Sequence, residues 1–305
     1  MMGNRPRLRA ALVVMALVVS ASASACGRDR AAASGVVASP FPRAVLAAER
    51  AVHAPPRWQD SFESADFRGW GWHGQGDPTW GHIAVGRPGT WGVPPLDGRR
   101  VARFEITPGD VAAGRFHAKL YEVSAVGSGR SERPPADVSG TYSAWYYLPA
   151  NYRVPGSSWV NVFQFKEKYR APDGEERSDP LWWVQLGRLA WARRQAAALR
   201  VAPPAGIRPD RPVAFLNRWR NRWTAPRRFL TLPLGRWFEL KAVVRQRRSI
   251  TFSLDGRVLD VAHASEYPVS PFHGRDSREW IWGVGNYSTG ANGPLYVDAA
   301  TISPP

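Results

Sequence analysis

Two stretches of the chain alternate polar and apolar residues so that reactive side chains fall on one side. In residues 115–121 one side carries Arg115, His117, Lys119 and Tyr121. In residues 159–168 the same spacing gives Gln164, Lys166 and Lys168. A repeat of two residues is that of a β-strand. If both sides meet on one surface, amide and cationic donors there can hold an anion, and one imidazole can move a proton.

A plainer interpretation of this alternation stays open. An antiparallel sheet with one face in solvent carries polar side chains on that face by default. The pattern therefore indicates strands and a polar face, and the choice between a site and an ordinary surface needs further observations.

The same period recurs along most of the chain, which must supply the scaffold for these residues. It predicts further strands at 142–148, 181–187, 238–244, 249–254, 258–261 and 296–302. Asp255-Gly256 predicts a tight hairpin between two of them. Because many strands occur with no alternation of strands and helices, we expect an all-β sandwich or barrel.

Charge and aromatic content suggest the kind of ligand. The net charge is +16, and it is +13 without Arg5, Arg7 and Arg9 near the N-terminus. Most of the positive charge is arginine, whose planar fork matches carboxylate, sulfate and phosphate groups. A genome biased toward arginine would raise the same count.

Tryptophan is abundant, with 15 residues. Most tryptophans of a sandwich pack in its core. Alternation nevertheless predicts that Trp183 joins Gln185 on a polar face, and that Trp280 joins Trp282 there. Residues 217–223 mix Arg220 with other arginines and tryptophans and lack strand alternation, so we expect a basic loop at the rim. Flat rings stack on sugars and arginine binds acids, which favours an acidic polysaccharide as the partner.

The N-terminal residues have the pattern of an export signal. Arg5, Arg7 and Arg9 precede a short apolar run, and Ala23-Ser24-Ala25 leads to Cys26, the single cysteine. This resembles a bacterial lipoprotein signal, in which the cysteine is lipidated. Cleavage of an ordinary A-x-A signal fits as well.

The expected organisation is a signal peptide at 1–26, a flexible tether at 27–56 and one β-sandwich at 57–305. We expect an exported cell-surface lipoprotein, or a secreted or periplasmic protein, that contacts the membrane only through the anchor. Export also argues against nucleic acid as a partner. One cysteine permits no intramolecular disulfide.

Three motifs occur in an order known from one group of enzymes. They read Arg115-Phe116-His117-Ala118-Lys119, Gln164-Phe165-Lys166, and Ile281-Trp282-Gly283-Val284-Gly285-Asn286-Tyr287. They resemble R-[ST]-E-L-R, Q-[IV]-H and Y-F-K-A-G-x-Y of the jelly-roll polysaccharide lyases, which include alginate, glucuronan and heparin lyases. Arg115, Gln164, Gly285 and Tyr287 match. His117, Lys119, Lys166 and Gly283 depart from the motifs.

The ends of the body resemble the same fold. Asp60 to Glu63 and Leu295 to Asp298 are similar to the paired terminal strands of concanavalin-A-like jelly rolls. That resemblance implies a sandwich with one concave sheet facing the ligand. It implies no cofactor, with a structural calcium near Asp60 and Asp298 as an option.

The resemblance also implies a chemistry. A lyase neutralises a uronate carboxylate, removes the adjacent proton and expels the 4-oxygen. Gln164 and Lys166 would neutralise the carboxylate, Tyr287 would transfer a proton, and His117 would replace the motif histidine as base. The implied substrate contacts are Arg115, Lys119, Tyr121, Lys168, Trp183, Gln185, Trp282, Asn286 and Arg220.

Two points stay open at this level. Loss of the motif histidine is also consistent with a non-catalytic carbohydrate-binding lipoprotein of the same fold, although we favour the lyase slightly. Simple alternation puts Tyr287 on the face opposite Trp282 and Asn286, so we expect a backbone irregularity at Gly283 or Gly285 that brings Tyr287 to His117 or Gln164.

The signal predicts the effect of one substitution. Cys26→Ala is expected to release the protein from the membrane fraction or to block its processing, because the lipid attaches to that thiol. Fractionation and immunoblotting measure both effects. The same soluble mature protein from the wild type and the variant would exclude the anchor.

Overall fold

The computed structural model describes residues 56–73, 78–125, 137–155, 159–170, 173–190, 194, 211–218, 228–246, 248–263 and 277–305. These residues belong to one compact unit. The expectations for residues 1–26, for the tether up to residue 55, for Cys26 and for Arg220 lie outside the described residues. No helix in the described part of the chain combines the length and the apolar character needed to cross a membrane.

Strands make up nearly all of the regular structure. In chain order the described residues form β1 (Trp58–Asp60), β2 (Trp72–His73), β3 (His82–Gly86), β4 (Val101–Ile106), β5 (His117–Ala125), β6 (Gly140–Tyr147), β7 (Val160–Arg170), β8 (Glu176–Arg188), β9 (Pro212–Arg218), β10 (Leu230–Thr231), β11 (Trp237–Arg245), β12 (Ser249–Leu254), β13 (Arg257–His263), β14 (Ser277–Ser288) and β15 (Asn292–Ser303). A 3-10 turn spans Pro88–Trp91, and a short helix, α1, spans Pro108–Ala112.

The strands form two antiparallel sheets. One has the order β13-β12-β11-β6-β15-β4-β3, with β1 also paired to β15, and the other has the order β10-β9-β8-β7-β14-β5-β2. Apolar side chains from both sheets interleave between them in one large core. The expected all-β jelly-roll sandwich is confirmed, because two antiparallel sheets pack face to face around this core.

The hairpin at Asp255-Gly256 forms where it was expected. It joins β12 to β13, and both residues have positive φ angles, 48° and 71°. That conformation fits a two-residue hairpin turn, and glycine adopts it without steric cost.

Trp280 and Trp282 lie in the core, so their expected place on the polar face was wrong. Trp282 is 0% exposed. Its ring centroid lies 5.6 Å from that of Tyr142, 5.5 Å from that of Phe163 and 6.1 Å from that of Trp70. Residues 280–284 are apolar or glycine on both sides of β14, so alternation alone could not orient them. The large rings take the core side.

Arg115 belongs to a structural cluster around α1. It precedes β5, and its Nε donates to Asp110 Oδ1 at 2.8 Å. Asp110 also completes the capping box with Thr107 and contacts His82 Nδ1 at 2.8 Å. Burial alone would raise the pKa of Asp110, but hydrogen bonds from Thr107, Arg115 and His82 hold that pKa well below its ordinary value. We therefore assign Arg115 to this cluster and withdraw it as a substrate contact.

The core position of Trp282 predicts a large loss of stability on truncation. Trp282→Ala is expected to lower the free energy of unfolding by about 3–5 kcal/mol, as for other buried aromatic residues. Trp159→Ala is the matched variant, because Trp159 is only half-buried, on the outer side of the seven-stranded sheet. Denaturant unfolding of both compares the losses, and equal losses would contradict this assignment.

Candidate active site on the seven-stranded sheet

The outer face of the seven-stranded sheet brings the predicted residues together in two rows. In the first row, pairing runs from His117 to Tyr287, Asn161 and Gln185, across β5, β14, β7 and β8. In the second row it runs from Tyr121 to Gly283, Gln164, Trp183 and Asn217. We call these two rows, with Lys119, Lys166 and Trp159, the polar face.

His117 and Tyr287 form the centre of the polar face. Their ring centroids are 4.0 Å apart and their planes are nearly perpendicular. Trp159 packs edge-on against Tyr287, and Trp80 packs edge-on against His117. His117, Tyr287, Lys166 and Trp159 are each half-buried, so a ligand can reach them.

The environment sets the protonation of both rings. Burial, and then the charges of Lys119 and Lys166, lower the pKa of His117 to about 4. Burial also raises the pKa of the Tyr287 phenol. At neutral pH the pair therefore consists of a neutral imidazole, which can accept a proton, and a protonated phenol, which can donate one.

Lys119 lies on β5 between His117 and Tyr121 and is completely buried. Its Nζ donates to Asn161 Oδ1 at 2.7 Å and to Gln164 Oε1 at 2.9 Å. Burial, and then the charge of Lys166, hold the pKa of Lys119 well below its ordinary value. Lys119 can therefore act on a ligand only through the two amides. Its expected direct contact with the substrate is wrong.

Asn161 is a site residue that sequence reasoning missed. In simple alternation it would share a side with Phe163 and Phe165, which are core residues. The pairing of β7 with β8 is irregular between Asn161 and Phe163, and its pairing with β14 is irregular around Gly285. As a result, the successive residues Val162 and Phe163 both enter the core. This β-bulge returns Asn161 to the side of Gln164. No sequence signal marks it apart from Gly285.

Gly285 can only be glycine here. Its φ is +123°, and a Cβ would lie 2.5 Å from the carbonyl oxygen of Ala118 and 2.8 Å from the ring of Phe104. An irregularity near Gly285 was expected as the means of turning Tyr287. Tyr287 instead reaches the polar face by plain alternation, because Trp282 faces the core, and the irregularity acts on Asn161.

Gly283 lies where the related motif has lysine, and its missing side chain makes room for Tyr121. A Cβ on Gly283 would approach the Tyr121 ring to 2.6 Å. The Nζ of Lys166 lies 5.3 Å from the Tyr121 ring centroid, and that of Lys119 lies 6.0 Å from it. Tyr121 is buried, so it packs between the two lysines and presents little surface to a ligand.

Trp183, Gln185 and Asn217 form a second polar group on β8 and β9. Gln185 Oε1 accepts from Trp183 Nε1 at 3.1 Å and from Asn217 Nδ2 at 2.7 Å. All three side chains are buried. The structure puts Asn217 and Arg218 within β9, although a loop was expected to begin at residue 217; residues 219–223 of that expected loop lie outside the described residues. These residues form a hydrogen-bonded group next to Asn161, which lies opposite Gln185.

Two other predicted contacts lie away from this centre. Lys168 forms ion pairs with Glu176 and Glu279, at 3.2 Å and 3.4 Å. Asn286 is fully buried and exchanges two amide hydrogen bonds with Asn292. Asn286 is therefore a structural link between β14 and β15, and its expected substrate contact is wrong.

Asp60 and Asp298 each have hydrogen-bond partners of their own, and a calcium ion near them stays a prediction. Asp60 accepts from the Phe62 N–H and from Trp70 Nε1. Asp298 is buried and accepts from the Ala299 N–H, and burial raises its pKa well above the ordinary value. In the described residues no group of three or more His, Cys, Asp or Glu side chains is arranged to hold a metal ion.

Comparison with solved structures identifies the fold. The endo-β-1,4-glucuronan lyase of the fungus Trichoderma reesei matches over 82% of this chain and 96% of its own, with 14% identity and a TM-score of 0.50. The chain shares its jelly-roll fold. Matches to the cellulose-induced protein Cip1, at 14% identity over 80% of this chain and 96% of that one, and to an alginate lyase of Pseudomonas aeruginosa, at 14% over 68% and 93%, have TM-scores of 0.40 and 0.35. We base nothing further on these two.

The similarity is one of fold and not of close sequence. No protein-family model matches the chain, and no curated protein does. The resemblance noted in the three motifs is confirmed at the level of the jelly-roll architecture. The chemistry must be inferred from the polar face itself.

The charges around His117 predict its titration. In proton NMR the His117 ring is expected to titrate near 4, and Lys166→Gln is expected to raise that pKa while leaving it below the ordinary 6.5, because burial persists. Lys168→Gln is the matched control, since Lys168 is paired with two glutamates. An unchanged His117 pKa in Lys166→Gln, or equal shifts in the two variants, would contradict the electrostatic account.

Proposed function

We propose that this chain is a polysaccharide lyase that cleaves an acidic, uronate-containing polysaccharide by β-elimination. One observation carries the proposal: a neutral imidazole, His117, packs against a phenol, Tyr287, on a face that also carries two amides and two lysines. This set contains a proton acceptor, a proton donor and groups that can hold a carboxylate. The Trichoderma protein of the same fold is a glucuronan lyase, which is consistent with the proposal.

The reaction divides among these groups as follows. Gln164, with Asn161 and Lys166, holds the uronate carboxylate and stabilises the negative charge that grows on it. The His117 imidazole takes the proton from C5, and the electron pair forms the C4–C5 double bond. The C4–O4 bond breaks, and the Tyr287 phenol protonates O4. The imidazolium then returns its proton to the adjacent phenolate, which restores both residues.

Hydrolysis by two carboxylates fits the polar face less well. Glycosidases of that type use a pair of Asp or Glu residues on either side of the scissile bond. The described residues of the two rows, with Lys119 and Lys166, include no acid. Their donors and cations suit an anionic substrate, and we prefer elimination for that reason.

We also propose that the protein acts outside the cytoplasm. The pattern of residues 5–26 supports export, with Cys26 as the anchor or an ordinary cleavage site before it. Polysaccharides are met at the cell surface, which agrees with this location. The fractionation of Cys26→Ala described above is its test.

Product formation tests the proposed reaction. The wild type is expected to generate an unsaturated uronate, seen as rising near-ultraviolet absorbance, on at least one of glucuronan, alginate, hyaluronan and heparin. His117→Ala and Tyr287→Phe are each expected to lower kcat/KM by about 10²–10⁴-fold, because each removes a proton-transfer group. Both side chains are half-buried, so circular dichroism and the unfolding midpoint should change little.

Matched controls lie on the other sheet. His263→Ala removes an exposed histidine at the end of β13, and Tyr147→Phe alters a tyrosine of β6. Both are expected to keep wild-type rates. Full activity in His117→Ala or Tyr287→Phe would refute their assigned roles. Binding of an acidic polysaccharide without any unsaturated product would favour the non-catalytic carbohydrate-binding protein.

A further inference from the structure

Lys119 determines how two neighbouring amides are oriented. An ammonium or amine Nζ–H donates, and the lysine side chain meets the oxygen of each amide: Oδ1 of Asn161 and Oε1 of Gln164. A flip of either amide would turn an NH2 group toward the lysine and lose the hydrogen bond that Nζ–H donates to the amide oxygen. The two contacts therefore select one orientation of each amide.

Among the described residues, the NH2 groups of the two amides have no hydrogen-bond partner. Neither amide nitrogen has a hydrogen bond to another described residue, and neither is among the fully buried, unsatisfied atoms of the described chain. Each nitrogen therefore keeps contact with solvent, although the side chains are only 2% and 4% exposed. Asn161 is directly opposite Tyr287 in the first row of the polar face, and Gln164 is opposite Gly283 in the second row.

Lys119 also lacks a counter-ion within the described residues. No carboxylate there forms an ion pair with it, although it is completely buried. Removing an unpaired cation from water is costly. Burial holds the pKa of Lys119 well below its ordinary value, and an anion bound by the two amides would favour the charged form of the lysine, because opposite charges attract more strongly there than in water.

We propose that Lys119 is a positioning residue that locks the NH2 groups of Asn161 and Gln164 into a paired donor site for one planar anion, the carboxylate of a uronate residue. This deepens the proposed function and rests on it, since it names the groups that select an acidic sugar. Lys119 itself touches no ligand. It acts on the bound anion indirectly, through its electrostatic field and through the two amides that its hydrogen bonds orient.

Replacing each amide by the corresponding acid distinguishes two roles for Lys119. It either orients the two amides for a ligand or is simply buried beside them. Gln164→Glu and Asn161→Asp keep the acceptor oxygens for Lys119 and supply it with a counter-ion, so the unfolding midpoint is expected to stay or rise. They remove the NH2 donors and repel an anion. Uronate affinity is expected to fall about ten- to a hundredfold, as for loss of a hydrogen bond to a charged group.

The measurement is an equilibrium affinity in a His117→Ala background, where turnover is blocked. Isothermal titration calorimetry uses the tightest-binding fragment among glucuronate, alginate, hyaluronan and heparin oligomers, with a neutral glucose oligomer for comparison. The matched control is Gln246→Glu, because Gln246 Oε1 accepts only the Val138 N–H among described partners, and the control is expected to bind as the parent does. Lys119→Met leaves the amides free to flip, and it is expected to reduce the preference for uronate over the neutral oligomer.

Several results would overturn the inference. One is undiminished uronate affinity in both acid variants. If those variants fail to fold, folded Lys119→Met decides instead, and an unchanged preference for uronate over the neutral oligomer would overturn the inference. The absence of uronate binding by the parent protein would also overturn it. Binding that follows the expected pattern without any unsaturated product from the wild type would support the inference while rejecting the lyase activity.

Discussion

The pairing of β14 between β5 and β7 is the constraint on which the rest of the site depends. β14 carries Trp280, Trp282 and Val284 into the core, and that burial fixes which of its side chains face outward. With the register fixed, Tyr287 must lie beside His117 on one side and Asn161 on the other. A shift of one residue would expose the two tryptophans and bury polar groups, so hydrophobic burial maintains the geometry of the reactive rings.

The same burial also sets the chemistry of the polar face. The face packs cations and amides closely, and only a few of its groups retain contact with water. Burial lowers the pKa of His117 to about 4 and raises that of Tyr287, and the neighbouring lysines act on His117 in the same direction. One ring is thereby kept free to accept a proton and the other able to donate one. An anionic substrate would offset the positive charge that the fold gathers there.

Much of the scaffold could be predicted from sequence, because alternation and turn chemistry are local properties. The strand at 249–254, the turn at Asp255-Gly256, and the shared side of His117 and Lys119 all follow from them. Alternation failed where both sides of a strand are apolar, as at Trp280 and Trp282. It failed again at Asn161, since a bulge reverses the pattern within β7 and depends on pairing with two other strands. Arg115 and Asn286 were misassigned because their partners, Asp110 and Asn292, are recognisable only in three dimensions.

The central claim is that the polar face breaks a glycosidic bond by elimination and not by addition of water. The most direct test is digestion of the preferred uronate polymer in water enriched in heavy oxygen, with mass spectrometry of the fragments. Elimination predicts an unsaturated uronate at one new end, and at the new reducing end no heavy oxygen beyond the slow exchange measured when finished fragments are incubated in the same water. Heavy oxygen incorporated at each cleavage, with no unsaturated end, would mean hydrolysis and would contradict the account.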